Sequence, residues 1–394
     1  MMDKEELDKR FYEGRRLETT SLGIPHKPTT TICDKLDLVK LLRGTWNSRA
    51  EGWNLIALPA SPSDLIEPPA DPSKSFRLLM NQYGETLKFN VPDTGVPNRG
   101  MSPECGESDQ LIDAITYEQI VVQKAFKDFP ESKPKKHAKN GEPIHHEPGF
   151  FLQFLNQVQK GTSPDVTDDF GNVVEKDLEI ARMGTIPHGN SLLAMGFVNY
   201  DKTIKNNDAF PERLKADGDG KEIKVDLSDL EGNSDLTNYL APYKHFKDHH
   251  FSGCADRGDG FPGFSPDNVH AILQHTQNKL KIKNTTVLNF DTKFKVKDID
   301  NDAVFDQNDK PIAGFPISNA PFVKREANVT EMHATFWIME LEPTNACEPP
   351  EFVMQYSQTV YLEFFNSPVD KDDKGNPRRI RWPHISINTL RKID

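Results

Sequence analysis

The chain has 394 residues, a formal net charge of −12 at pH 7 and a pI near 5.5. Nucleic-acid phosphates are bound by basic surfaces, so this charge balance argues against a nucleic-acid-binding protein. The length suits one large domain or two ordinary ones. Hydrophobic residues make up 36% and charged residues 27% of the chain, which predicts a globular core with long polar loops.

The cysteines and the first residues suggest the cellular compartment. Cys33, Cys105, Cys254 and Cys347 lie far apart without a CxxC pair, so they indicate neither a zinc motif nor a small disulfide framework. The chain begins MMDKEELDKR, which lacks the apolar segment of a secretory signal. No window reaches the roughly 18 apolar residues of a membrane span. We therefore expect a cytoplasmic protein with reduced thiols and no membrane span.

The first part of the chain is predicted to hold an arm, a short helix and a strand. Residues 1–35 are charged and then rich in Thr and Pro, so we expect an N-terminal arm outside a single domain at 36–394. Asp37–Leu42 is predicted to form one or two helical turns. The stretch at 43–59 mixes apolar and polar residues and ends at a proline, which is typical of a curved strand.

Strand signals continue beyond residue 75. Residues 76–92 predict two short strands, or one strand with a bulge at Gly84. The stretch VPNRGMSPECGESDQ, at 96–110, is interpreted as a loop because it is rich in Gly, Pro and Ser. Alternation of side-chain character at 111–126 predicts the next strand.

A histidine motif, GEPIHHEPGFFLQ, follows a loop rich in Lys and Pro. Successive side chains of a strand face opposite sides, so His145 and His146 are expected on opposite faces. Glu147 then shares the face of His145 and is close enough to orient it. A bend is predicted at Pro148-Gly149. One imidazole is thus expected to point into whatever the strand encloses.

The second half alternates between insertions and strands. Residues 157–177 form a polar insertion, and 178–200 predict two strands joined by a tight turn at Pro187–Asn190. Residues 201–278 are rich in Asp, Lys, Asn and Gly and are interpreted as a long insertion or lid. A helix is predicted there at Pro266–Lys279, with Ser265 as its N-cap.

Four further strand-like stretches follow residue 280 and bring the total to nine or ten. Short strands, hairpin-type turns and few short helices favour a mainly β fold: a closed antiparallel meander barrel of about ten strands with long loop insertions. Barrels of this size remove their sheet edges and often enclose one ligand.

Three sequence blocks resemble the nitrobindin family of haem-binding ten-stranded barrels, which are of the fatty-acid-binding-protein type. LLRGTWNSRAEG at Leu41–Gly52 is similar to the opening strand of that family, and Ile115–Phe151 to its central hairpin. WPHISINTLRK at Trp382–Lys392 is similar to its terminal strand. Family members are far shorter, so the resemblance implies that this chain carries large insertions.

The resemblance implies a haem b cofactor and assigns roles to particular residues. His384 matches the axial ligand of the haem iron, and His145 matches the histidine on the distal side, with Ile144 on the same wall. The implied partner is a small molecule: nitric oxide or a related ligand. The implied chemistry is isomerisation of peroxynitrite or peroxide-type oxidation.

Other residues are candidates beyond the three blocks. His188 lies in a turn between apolar strands, where a histidine can act as an acid or base near neutral pH. Arg99 and Arg182 are candidates to pair with haem propionates, or equally with surface carboxylates. His333 is interpreted as a core histidine with a satisfied hydrogen bond.

Two alternatives keep the barrel and change its function. In the first, a mononuclear non-haem metal is held by His145 or His146 together with Glu147 and His188. In the second, the barrel is a carrier for a lipid or another apolar ligand. The sequence does not fix the oligomeric state, and a homodimer stays open.

Overall fold

The structure is a computed structural model. It describes residues 38–68, 76–102, 106–134, 138–156, 159–167, 172–199, 215–218, 221–224, 234–254, 257–258, 260–296, 317–345, 349–365 and 379–394. The N-terminal arm predicted for residues 1–35 lies outside the described residues.

Strands dominate the described part of the chain. In chain order they are β1 Gly44–Pro59, β2 Phe76–Ser102, β3 Gly106–Phe129, β4 Pro143–Phe154, β5 Gln159–Thr167, β6 Val173–Leu178, β7 Ile180–Ile186, β8 Asn190–Asn199, β9 Lys215–Gly218, β10 Lys221–Lys224, β11 Ile282–Asp291, β12 Lys295–Val296, β13 Ile317–Asn319, β14 Ala327–Leu341, β15 Phe352–Phe365 and β16 Arg379–Lys392. The helices are α1 Leu38–Leu42, α2 Ser234–Asp248, α3 Ala271–Gln277 and α4 Pro321–Glu326, with a 3₁₀ turn at Pro62–Asp64.

Ten of these strands form a closed antiparallel barrel. Their order is β1-β2-β3-β4-β7-β8-β11-β14-β15-β16, and β16 pairs with β1 to complete the circle. Neighbours around the barrel follow one another along the chain except where short added elements intervene. The predicted meander barrel is confirmed.

The added elements extend or accompany the barrel. The short strand β13 pairs with β8, and the β9–β10 hairpin pairs with β16. Strands β5, β6 and β12 form a separate three-stranded sheet. The polar insertion predicted at 157–177 is therefore folded in large part as the β5–β6 hairpin.

Aromatic side chains on alternate strand positions fill the barrel interior. Phe151 makes edge-to-face contacts with Phe89, Tyr117, Phe290 and Phe336, at centroid distances of 5.2–5.6 Å. Edge-to-face packing places the positive edge of one ring on the negative face of the next. The high Phe content of the sequence therefore supplies a packed core.

Several boundaries differ from the sequence-based predictions. The stretch 96–110 was predicted as a loop, but most of it extends β2 and β3 as one long hairpin, in which Val96 pairs with Ile112 and Ser102 with Gly106. Ladder pairing with a neighbouring strand outweighs local Gly and Pro signals there. In 76–92 the alternative of one strand is confirmed, but Gly84 pairs regularly with Val122 of β3, and the extra residue of the nearby irregularity is Lys124 of β3.

The helix predicted at Pro266–Lys279 is shorter than expected. It runs from Ala271 to Gln277 with His270 at its N-cap position, and the Ser265 hydroxyl bonds Asp267 instead of capping it. The preceding residues form turns because Asp267 offers this local side-chain partner.

The described part of the 201–278 insertion packs against one side of the barrel, where β1, β2, β15 and β16 lie. We call this packed part, residues 234–278, the strap. Tyr243 and Phe246 of α2 and Leu273 of α3 join a buried apolar cluster with Trp53 and Ile385 of the barrel. The strap is therefore held by the same hydrophobic burial that stabilises a core.

Polar bonds complete the contact between strap and barrel. The buried His270 Nε2 lies 2.8 Å from the Ser357 hydroxyl, and Gln355 donates to the Leu273 carbonyl at 3.0 Å. Trp382 stacks on Phe76 at 4.7 Å and near Tyr243 at 5.9 Å.

Candidate functional site

The two adjacent histidines point to opposite faces of β4, as predicted. His145 is half-buried, and its Nε2 lies 3.2 Å from Glu147 Oε2. His146 is half exposed, and its Nε2 lies 3.0 Å from Glu118 Oε1 on the outer face of β3. At Pro148-Gly149, the place offered for a bend, β4 continues, with both residues paired to β3 and Gly149 also paired to β7.

Glu147 is the centre of a buried polar group inside the barrel. Arg182 NH2 donates to Glu147 Oε1 at 2.8 Å, and the Tyr117 hydroxyl donates to the same oxygen. Arg182 Nε donates to the Tyr117 hydroxyl at 3.2 Å, and its NH1 to Gln358 Oε1 at 2.5 Å. Glu147 and Arg182 are only 1% and 3% exposed.

This group keeps its charges in spite of burial. Burial alone raises the pKa of a carboxyl, but Arg182 and the hydrogen bonds from His145 and Tyr117 outweigh it and lower the pKa of Glu147 to about 2. Burial also disfavours the charged guanidinium of Arg182, and the neighbouring Tyr117 and Glu147 more than offset this, so its pKa is raised. The two charges therefore persist as an ion pair.

Two glycines make room for this group. A Cβ at Gly184 would lie 2.5 Å from Glu147 Oε1 and 2.7 Å from the Tyr117 hydroxyl. A Cβ at Gly149, the cross-strand partner of Gly184, would lie 2.6 Å from the Tyr117 ring. Any larger residue at either position would therefore displace the carboxylate or the phenol.

His384 lies near the start of β16 and carries an unpaired nitrogen. Its Nε2 is buried and has no hydrogen-bond partner among the described residues. Burial, with smaller contributions from nearby His145 and His188, lowers the pKa of His384 to about 4. The imidazole is therefore neutral at neutral pH, so one of its ring nitrogens carries a free lone pair.

His188 lies in the predicted turn between β7 and β8, which is confirmed. Its ring centroid is 6.2 Å from that of His145. Burial, and then the nearby His145, lower the pKa of His188. The turn is anchored by α4, because Ala320 N donates to the Gly189 carbonyl at 2.7 Å and Gly189 adopts a φ of +105°.

The three histidines lie at one end of the barrel. Strands alternate in direction around an antiparallel barrel, so the starts of β4, β8 and β16 lie at the same end. His145 follows the first of these starts, His188 precedes the second and His384 follows the third. We call this end, with these three residues, the histidine end.

The two predicted cofactor-binding arginines are not at the histidine end. Arg99 lies far along the β2–β3 hairpin with a 78% exposed side chain, and it pairs with Asp109 at 2.6 Å. Of the two partners that the sequence left open for Arg99, haem propionates or surface carboxylates, the structure shows a surface carboxylate. Arg182 is inside the barrel with its charge neutralised by Glu147, so it does not offer a rim cation either.

Ile144 occupies an irregular position of β4. Strand β3 pairs Val121 with His145 and Val122 with Pro143, so Ile144 is an extra residue without a direct partner. Its side chain is half-buried. Its role as a pocket wall stays a prediction.

A second buried carboxylate lies deeper in the barrel. Glu85 accepts hydrogen bonds from Tyr356 at 2.6 Å, Asn388 at 2.7 Å and Gln119 at 2.8 Å. Burial raises the pKa of Glu85, against these hydrogen bonds.

The space between the two polar groups is small. A cavity there has room for about one water molecule. Its lining residues are Leu87, Tyr117, Gln119, Phe151, Arg182, Phe336, Tyr356 and Gln358. A porphyrin or lipid therefore does not fit between these side chains.

The alternative non-haem metal set is not assembled. Both Glu147 oxygens are engaged by Arg182, Tyr117 and His145. His146 faces away from the barrel interior. Within the described ranges, no group of three or more His, Cys, Asp or Glu side chains is arranged to hold a metal ion.

Comparison with known proteins gives no relative. No protein-family model, no curated protein and no solved structure matches this chain. In the part of the chain that the structure describes, no helix is long and apolar enough to cross a membrane.

Sequence analysis missed the roles of Tyr117, Arg182 and Gln358 around Glu147. These residues lie on β3, β7 and β15, and only strand pairing brings them together. One local signal was available. Glu-x-Gly at 147–149 and Arg-x-Gly at 182–184 each place a charge two residues from a glycine, on the same strand face.

Proposed function

We propose that this protein binds haem b at the histidine end of its barrel, with His384 as the protein ligand of the iron. The proposal adds binding of nitric oxide or related small ligands at the same place. Two findings support the proposal: the resemblance of the three sequence blocks, and the closed ten-stranded barrel.

One observation carries the proposal: His384 Nε2 is buried without a hydrogen-bond partner in the described chain. A buried polar atom that forms no hydrogen bond costs about 1–3 kcal/mol. In haem proteins a proximal histidine coordinates the iron through a neutral imidazole nitrogen that forms no hydrogen bond. His384 therefore fits the haem that the resemblance implies.

His145 and His188 are close enough to His384 to act on it electrostatically. Their rings are 6.2 Å apart, and both contribute to the lowered pKa of His384. Haem, when bound, supplies an iron site for nitric oxide and peroxide-type chemistry. A nearby imidazole can hydrogen-bond a ligand or move a proton. We assign His145 and His188 that role, and with it the peroxynitrite or peroxide chemistry that the resemblance implies.

Reconstitution of the purified protein with hemin tests the haem site. The wild type is expected to show a Soret band at about one haem per chain, and His384→Ala to lose most of it, because the protein bond to iron is gone. Added imidazole should restore part of the band in His384→Ala. His270→Ala is the control, since it removes a histidine with a similarly lowered pKa away from the histidine end. Absence of a Soret band in the wild type, or full haem retention in His384→Ala, overturns the proposal.

A second experiment separates the roles of the other two histidines. His145→Ala and His188→Ala should retain haem but change small-ligand affinity or peroxide turnover. Loss of a positioned acid or base typically costs about 10²–10⁴-fold in rate. Haem occupancy and turnover are measured on both variants. Unchanged ligand binding and turnover in both would remove the assignment of these residues.

A further inference from the structure

Two neighbouring histidines of β4 each meet a carboxylate, and the two pairs differ sharply in environment. The His146–Glu118 pair is on the outer face, with side chains 51% and 50% exposed. The His145–Glu147 pair faces inward, with side chains 27% and 1% exposed. Solvent competes with the outer pair and not with the Glu147 oxygens, because water is excluded from them.

We infer that Glu147 is a positioning residue: its buried carboxylate fixes the ring orientation and the tautomer of His145, so that Nδ1 of His145 is the nitrogen offered to a ligand at the histidine end. The inference deepens the proposed function and rests on it for the identity of that ligand. The orientation itself is a property of the apoprotein.

Glu147 itself has little freedom to move. Its Oε1 accepts from Arg182 NH2 and from the Tyr117 hydroxyl, while Oε2 lies toward His145 Nε2. Arg182 is in turn bonded to Gln358 and lies over the Tyr117 and Phe151 rings, at 5.4 and 5.8 Å from their centroids. Each partner of the carboxylate is thus held by a further contact.

The tautomer of His145 follows from which atoms of His145 and Glu147 can donate a hydrogen bond and which can only accept one. An ionised carboxylate only accepts hydrogen bonds, so the proton of this bond belongs to His145 Nε2. In the neutral imidazole, Nδ1 then carries no proton and acts as an acceptor. When the ring is protonated, Nδ1–H becomes the donor that faces the ligand. In both states Nδ1 is the nitrogen that accepts a hydrogen bond from the ligand or donates one to it, and Nε2 stays bonded to Glu147.

Histidine-selective ¹⁵N labelling of the full-length apoprotein tests this directly. In the neutral form of its ring, His145 is expected to show an Nε2–H resonance and an unprotonated Nδ1. Its Nε2–H should exchange with water at least about tenfold more slowly than that of His146, because buried hydrogen bonds protect against exchange. A predominant Nδ1–H tautomer, or exchange as fast as that of His146, overturns the inference.

Gly184→Ala gives a mild variant that keeps every charge. Its Cβ would lie 2.5 Å from Glu147 Oε1, so the carboxylate has to shift. Exchange of the His145 Nε2–H should then accelerate about tenfold or more. Glu118→Gln is the matched control and should leave the His145 resonances unchanged. An unchanged exchange rate in Gly184→Ala counts against the inference.

A double variant, Glu147→Leu with Arg182→Met, removes the carboxylate without leaving a buried charge unpaired. If it folds, the protected Nε2–H of His145 should disappear. If it does not fold, the wild-type and Gly184→Ala spectra decide. A protected Nε2–H without any Soret band supports the positioning role and overturns only the haem proposal, so the two failures are distinguishable.

Discussion

Two histidines with a buried Nε2, in different regions of this protein, have similarly lowered pKa values and differ in what that nitrogen bonds. His270 lies between the strap and the outer wall of the barrel, and His384 lies at the histidine end. Burial lowers the pKa of each to about 4. His270 Nε2 reaches the Ser357 hydroxyl at 2.8 Å, whereas His384 Nε2 reaches no partner among the described residues.

Burial and a shifted pKa therefore do not separate a structural histidine from a functional one. Both follow from the low polarity of the surroundings. The distinguishing property is whether the buried nitrogen is satisfied, because proteins rarely leave such an atom unpaired without a reason. The bonded nitrogen of His270 fits a structural role, and the unpaired nitrogen of His384 is the one on which the proposed function rests.

The largest effect expected from this comparison is on apoprotein stability. His270→Ala removes a packed ring and leaves the Ser357 hydroxyl without this partner, which should cost about 2–4 kcal/mol. His384→Leu removes an unsatisfied polar atom, so it should leave stability unchanged or raise it by about 1 kcal/mol. Urea unfolding followed by circular dichroism measures both. A loss in His384→Leu as large as in His270→Ala would show that the two sites are energetically equivalent.

Acid should destabilise the apoprotein through both histidines. Their pKa values are lowered from 6.5 to about 4 on folding, so the unfolded state binds more protons between these pH values. The free energy of unfolding should then fall by about 1.4 kcal/mol per pH unit for each histidine as pH drops through this window. His384→Leu should halve that slope.

Below about pH 4 the stability should depend on pH mainly through Glu147 and no longer through the two histidines. The pKa of Glu147 is lowered from 4.5 to about 2, so its ion pair with Arg182 stabilises the fold above pH 4.5 and is lost as pH falls toward 2. A measured slope that is confined to the range below pH 4, with none above it, would contradict the histidine assignment.

A third histidine, His333, should give stability the opposite pH dependence and the smallest of the expected effects. Burial disfavours the charged ring of His333, but Asp291 and Glu331 bond its two nitrogens and raise its pKa from 6.5 to about 9. This stabilisation is complete below pH 6.5 and is lost as pH rises through 9. His333→Gln should therefore lose the decrease in thermal midpoint between pH 7 and 9.5 that the wild type shows. Solvent screens this half-exposed ring, so the shift is expected to be small.

The architecture was predictable from the sequence because strand alternation and turn chemistry act locally. The opposite orientations of His145 and His146 followed from the two-residue period of a strand. Helix α2 was not predicted, since its widely spaced apolar residues and its internal Pro242 give no helical period. Helix α2 forms because Tyr243 and Phe246 are buried against the barrel.

The site was less predictable because its partners come from separate strands. Arg182 and Glu147 meet only when β4 and β7 pair, and the Arg-x-Gly signal alone does not distinguish an interior arginine from a rim arginine. For Arg99 the sequence left two kinds of partner open, and only the exposed hairpin shows that it pairs with Asp109. His384 was singled out by its sequence block and His270 was not, but only the packed structure shows which nitrogen is unpaired.

Pairing of β1 with β16 closes the barrel, and it can form only after β16 has been synthesised. Pairing of Trp53 with Ile387 joins positions more than three hundred residues apart, and such contacts form slowly. While β16 is still within the ribosome, β1 and β15 are open sheet edges, which are prone to pairing with other chains. His384 lies on that last strand. The imidazole of His384 therefore takes up its buried, unpaired position only when β16 joins β1 and β15.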